Sequence, residues 1–513
     1  MQGRKQFEAK LMVYTSLQEL VPTGNYYRKL NTALDMHWLY KATKQYYGTE
    51  GNASIDPVVF FKIMIVGYLN NINSDRRLIA FCSDSLSIRL FLGYDLDEQL
   101  PCHSTLSRTR SLYGDDIFIG IFQQVLQLCI AKQMVAGKRQ CIDSAFVKAN
   151  ASMDSLVEKE VLEDVSNYAN EFNENSEFKV SQSVKQQVEK HHKWKAEAYK
   201  KMPGHVVNPK QLDEQGKPIR PKFVSNHTHY STTDNQARIA TKPGKPRQLN
   251  YLAQVSVDDK HHVITGALAD YANKKDSDCL EQIVNQTQTN LQQSHITIEE
   301  VIADAGYSSG KALKYLEQQN ITGYIPNFGQ YKAQRAGFIY NEKENRYECT
   351  QGNQAILNFK GIKTDSKGYQ KKQYRSSESD CKDCPLRANC CGKVTKFKKI
   401  EDSIDKPYYD RMHERLTKNA AYAKRMVRKR SSTVEPVLGT LINFRNMKRV
   451  NTRGIALANK HVLLAAMTYN LQKYLKFITQ TRKTAIKAIA INKKGLKNTI
   501  KSLIFNILVP ASY

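Results

Sequence analysis

A change of periodicity at Lys138 limits the fold of this 513-residue chain more than any other feature. Before it, apolar residues recur at helical spacing, most clearly in Pro57–Asn70 and Asp115–Ala131, with turn signals at Asn70-Asn71 and Tyr113-Gly114-Asp115. At Arg139 the pattern becomes that of a strand, running to Ala149 through Asp143. Strand patterns return in Gln248–Val257 and His262–Ala269, joined by the turn Asp258-Asp259-Lys260. A helical stretch, Asp276–Gln293, precedes the short β-branched run Glu299–Ala303, and a helix from Ser308 leads to a strand at Ile321–Ile325.

Strand, hairpin, helix, strand, helix, strand is the order of an α/β RNase H-like core, a mixed five-stranded sheet with flanking helices. The expected organisation is an all-helical N-terminal domain over 1–135, the α/β domain over 136–475 and a basic tail over 476–513. Two segments interrupt the α/β domain. Residues 156–224 are dense in Glu, Lys, Gln and Asn, with a coiled-coil-like run at Ser181–Lys201, and read as an inserted helical subdomain; residues 346–398 are rich in cysteine.

Seventy-seven Lys and Arg against 49 Asp and Glu leave a formal charge of +28, more than solubility requires, so a polyanionic partner is expected. The most apolar stretch, Val58–Leu69, is broken by Lys62 and too short to span a bilayer, which argues against a membrane protein. With no signal-peptide pattern at Met1–Gln6, the expected location is the cytoplasm. Cys82, Cys102, Cys129, Cys141 and Cys279 are scattered singly, as buried thiols are, and not spaced as a disulfide framework. Cys349, Cys381, Cys384, Cys390 and Cys391 gather in one region. Four of them, Cys349, Cys381, Cys384 and Cys390 or its neighbour Cys391, suit a structural Zn²⁺ site; ordinary reduced thiols are the alternative.

An RNase H-like nuclease needs one Asp on its first strand, one at the end of its fourth and a carboxylate on a later helix, together holding two divalent cations. Asp143 and Asp304 occupy the first two places, and Glu435 is the candidate for the third. Each has a rival role. Asp143 fits an exposed strand position, Asp304 before Ala305-Gly306-Tyr307 fits a turn, and Ser432 with Glu435 has the spacing of a helix-capping box, with Pro436 in its first turn.

These residues carry a resemblance to the InsH-like group of DDE insertion-sequence transposases over nearly the whole chain. The matching stretches are Ser54–Lys62, Ser74–Leu78, Phe91–Leu96, His103–Arg108, Asp143-Ser144 with Val147–Ser152, Ala303–Tyr307, and Val434-Glu435-Pro436 followed by Gly439. The resemblance implies a metal-dependent enzyme that cuts and joins DNA, with Asp143, Asp304 and Glu435 binding Mg²⁺ or Mn²⁺. It implies as partners the element's terminal inverted repeats, bound by the N-terminal domain, and target DNA, with a homodimer holding two DNA ends on the bacterial nucleoid. Arg76, Arg77, Arg108 and Arg110 are then the DNA-contacting candidates of a face that local sequence alone reads as solvated. Related transposases carry a Tyr and an Arg before the Glu and a Lys after it. Here Arg430 stands for the Arg, Val427 or another residue takes the place of the Tyr, and Arg445 or Lys448 that of the later cation.

Overall fold

The computed structural model describes residues 15–158 and 225–508, except residues 49, 51–53, 227–228, 243–245, 328, 330, 332, 366–367 and 392–394, and the side chains of 157–158 and 482–508. All but the first three residues of the expected insertion 156–224, including its run Ser181–Lys201, lie outside the described residues.

The N-terminal region is helical, as its periodicity predicts: α1 (Leu17–Leu20), α2 (Tyr26–Ala33), α3 (Trp38–Thr43), α4 (Pro57–Leu69), α5 (Asp75–Ser83), α6 (Leu86–Leu92), α7 (His103–Leu112) and α8 (Asp115–Ala131). Helix α4 starts where Asp56 accepts from the N–H of Val58 and Val59 at 2.7 and 3.1 Å and Pro57 fits the first turn. It is apolar on all sides because it runs through the middle of the region, with Phe60, Phe61, Ile63 and Ile65 fully buried.

A mixed sheet follows. Strand β1 (Arg139–Lys148) lies at its centre, and after the short pair β2 (Leu156–Glu158) and β3 (His229–Ser231) come β4 (Arg238–Ala240), β5 (Gln248–Asp258) and β6 (Ile264–Tyr271). Helix α9 (Asp276–Gln292), β7 (Glu300–Ile302), α10 (Gly310–Gln318) and β8 (Thr322–Tyr324) complete it. The order is β4-β5-β1-β7-β8 with β6 also on β5; β1 pairs antiparallel with β5 and parallel with β7. The sheet has six strands where five are expected. The addition is β4, three residues that continue the edge of β5 beyond β6, too short to carry a periodicity.

A separate antiparallel sheet is formed by β9 (Phe338–Asn341), β10 (Arg346–Cys349), β11 (Ile356–Thr364), β12 (Gln370–Arg375) and β13 (Lys399–Ser403), with α11 (Glu378–Lys382) and α12 (Arg387–Cys390) between the last two strands. It begins before and ends after the expected cysteine-rich insertion 346–398. Its hydrophobic core is small: Tyr347, Leu357, Tyr374 and Ile400, with Phe338 against them.

The chain then returns to the mixed sheet through α13 (Lys406–Lys418) and α14 (Ala420–Phe444), which packs on β1 and β5. The last helix, α15 (Ile455–Leu508), passes the expected start of the tail at residue 476 without a break. Its buried side chains, among them Val462, Leu463, Leu464 and Leu471, pack on α4, α8 and β6. One hydrophobic core therefore runs from Phe61 and Phe118 through Leu463 to Val255 and Ile302, across the expected domain boundary at residue 135.

Candidate active site

Asp143 and Asp304 come together through strand register. The parallel ladder between β1 and β7 ends at Cys141 opposite Ile302, and each aspartate stands two residues beyond that last pair, where the strands part. Asp304 then caps the turn Ala305–Tyr307, its Oδ1 accepting from the N–H of Gly306 at 2.9 Å. Its turn role is thus real, and it leaves the carboxylate at the mouth of the sheet beside Asp143.

Glu435 reaches the same place from α14. That helix starts at Asn419, whose side chain accepts from the N–H of Tyr422, and buries Met426, Val434, Val437 and Leu441 along one stripe. The capping-box reading of Glu435 is overturned, because the residue lies in the helix interior and Ser432 Oγ donates to the carbonyl of Lys429. Arg430 joins the acids: its Nη1 is 2.7 Å from Asp143 Oδ2 and its Nη2 3.0 Å from Glu435 Oε1. Burial pushes the Asp143 carboxyl above the usual range and the neighbouring Asp304 adds to that, while the Ser144 N–H, Arg430 and Lys242 oppose it.

Sequence reading missed a second layer. Asp276, the first residue of α9, sits across Gly306 from Asp304: a Cβ on that glycine would lie 3.0 Å from Asp304 Oδ1 and 3.3 Å from Asp276 Oδ2. Gln254 on β5 donates to Asp276 Oδ1 at 3.2 Å and accepts from the hydroxyl of Tyr307. Tyr307 is fully buried, and burial together with the charges of Asp276, Asp143 and Asp304 holds its hydroxyl protonated. Only the Asp-Ala-Gly-Tyr context marks Tyr307 in the sequence, and nothing local marks Asp276 or Gln254.

The acids form an all-oxygen donor set, which suits a hard divalent cation, and the Arg430 guanidinium supplies positive charge between two of them. Among the described residues, no three carboxylate, thiol or imidazole side chains stand close enough to enclose a metal ion, at the acids or elsewhere.

The expected DNA-contacting cations divide. Arg76, Arg77, Arg108 and Lys448 are exposed, and Lys448 lines a cavity with Lys148 and Arg449 at the end of β1. Arg110 and Arg445 are not available to a phosphate. Arg110 is buried with both Nη atoms on Asp75, at 3.1 and 2.8 Å, and Arg445 is buried on the carbonyls of Leu69 and Phe444 and on Gln472. Val427, the candidate for the Tyr position, is exposed on α14. Unanticipated cations, Lys424, Arg425 and Arg428, lie exposed on α14 ahead of Glu435.

No helix among the described residues is long and apolar enough to cross a membrane. The family model of a Transposase domain (DUF772) matches residues 15–112, the helical region through α7. The model of a Transposase DDE domain matches residues 348–475, which include Glu435 and most of the second sheet. No curated protein matches the chain.

Proposed function

The chain belongs to the DDE-type transposases of insertion sequences, and from that membership we propose that it cleaves DNA at the ends of its element and joins them to target DNA. The observation that carries this reading is the meeting of Asp143 and Asp304 at one register step, tied to Glu435 through Arg430. The order of the central strands supports an RNase H-like core.

In this reading Asp143, Asp304 and Glu435 hold a pair of Mg²⁺ or Mn²⁺ ions, which supply a nucleophile at neutral pH and neutralise charge on the transferring phosphoryl group. The protein's own part is placement. Asp143 and Asp304 are held by the sheet, so their separation does not depend on loop conformation. Glu435 is more than half exposed on α14, where a DNA strand and the metal pair reach it from solvent. Arg430 exchanges its carboxylate partners for the scissile phosphate as the cations take over the acids. The exposed cations of α14, with Lys448, line the approach of the backbone, and Arg76, Arg77 and Arg108 contact the terminal repeats. Two copies of the chain hold the two element ends.

Asp143→Asn, Asp304→Asn and Glu435→Gln test the reading, since each removes a charge at nearly constant shape. Cleavage and strand transfer of DNA carrying the element's ends are expected to fall roughly a hundredfold or more in each, with end binding retained. Near-wild-type cleavage in all three would sink it. Cleavage by the wild type without joining would reduce the protein to a nuclease.

A further inference from the structure

We propose that Cys349, Cys381, Cys384 and the Cys390-Cys391 pair form a structural zinc site that closes the second sheet, independent of the acidic site. All five thiols line one cavity of about 290 Å³. They come to it from separate elements: Cys349 from the end of β10, Cys381 from α11, Cys384 from the turn after it, and Cys390 with Cys391 from α12. Convergence from four places is costly to arrange and has no packing purpose for small polar thiols.

Each thiol now rests on a local neighbour. Cys349 Sγ lies 2.9 Å from the carbonyl of Gln351, Cys381 Sγ 3.2 Å from Ser376 Oγ, and Cys384 Sγ where a Cβ on Gly352 would be. These are weak contacts that a Zn–thiolate bond replaces at a gain.

Two further observations point the same way. The sheet spans Phe338–Ser403 on a core of four residues, while Ile339, Phe359 and Ile362 stay exposed. Burial on that scale does not hold a unit of this size, and small units with cores of this kind are held by metals or disulfides. Four thiolates on Zn²⁺ also carry a net charge of about −2, and the cavity wall brings two cations, Arg387 and Lys398. Lys398 is fixed there by its bond to the Cys390 carbonyl at 2.6 Å.

The test uses the full chain, purified reduced and without chelator. About one zinc per chain is expected, retained in the Asp143→Asn/Asp304→Asn double variant. Cobalt exchanged into the wild type should give the thiolate charge-transfer band and intense visible bands of a tetrahedral sulfur site. Cys381→Ser/Cys384→Ser should lose both the metal and the band. Reduced wild-type protein without zinc, lacking the cobalt band and melting identically with and without chelator, would overturn the proposal. So would zinc that leaves with the aspartates and stays with the serines. The cobalt spectrum needs no variant to fold, and none of these readouts depends on DNA cleavage.

Discussion

At 2.7 Å from Asp143 and 3.0 Å from Glu435, Arg430 offsets the repulsion of acids that would otherwise face one another without a counter-charge. Asp143 and Arg430 are both largely buried, so breaking that pair leaves an isolated charge in a poor solvent; Glu435 is exposed and its share is small. Arg430→Gln is therefore expected to cost about 1–3 kcal/mol in metal-free buffer. Mg²⁺ should restore more of the loss than it adds to wild type, because the cation no longer competes with the guanidinium. Thermal melting with and without Mg²⁺ checks both, and an equal Mg²⁺ effect in the two proteins would mean that Arg430 and the metal do not share a place. The aspartates were legible in the sequence because each follows a β-branched strand. The direction of an arginine was not: Arg108 and Arg110 sit two residues apart on α7, and only the position of Asp75 on another helix turns one inward and leaves the other in water.

Two glycines tell opposite stories about the elements that carry the site. Gly266 on β6 is where α9 seats: a Cβ there would overlap Thr287 Oγ1 and press on Ile283 Cδ1 at 3.2 Å. Gly266→Ala should lift α9, with Asp276 at its start, and destabilise the protein by about 1–3 kcal/mol. Gly439 lies in the interior of α14, one turn beyond Glu435, with nothing within 4 Å of an added Cβ. Gly439→Ala should stabilise by about 0.5–1 kcal/mol through helix propensity alone. Melting temperatures shifted in the same direction would refute this contrast. The long elements were readable from periodicity, and β1, β5, β6 and α9 begin and end close to where it put them. The second sheet was not. Its strand β11 reads Ile-Leu-Asn-Phe-Lys-Gly-Ile-Lys-Thr, with a register shift between Phe359 and Gly361 that breaks alternation, and it presents Phe359 and Ile362 to solvent. Glu435 was ambiguous for a related reason: whether its helix starts nearby depends on the cap at Asn419, which lies outside the local motif.

The molecule as a whole is held by α15 lying between the N-terminal helices and the sheet, and one of its residues makes that junction sensitive to acid. His461 is buried, bonded to the Tyr68 hydroxyl at 2.7 Å and to the Asn446 carbonyl at 2.9 Å, and burial pushes its pKa down to about 4. Between that value and the ordinary 6.5 the unfolded chain binds a proton that the folded one refuses. Its contribution is present above pH 6.5 and is lost as pH falls toward 4, to a total of about 3 kcal/mol. His461→Gln should flatten the dependence of unfolding free energy on pH across that window; a slope equal to wild type would place the acid sensitivity elsewhere. The shared core that α15 completes was not visible in the sequence, because each helix shows only that it has an apolar side and not which distant element covers it. Its consequence reaches the DNA. With the helices of residues 15–112 and the sheet set in one solid body, the point where a duplex would be read and the point where it would be cut cannot move apart, and the protein acts as a fixed ruler. About five base pairs inserted between the two would turn the scissile phosphate to the far side of the duplex, where no hinge in this core could follow it.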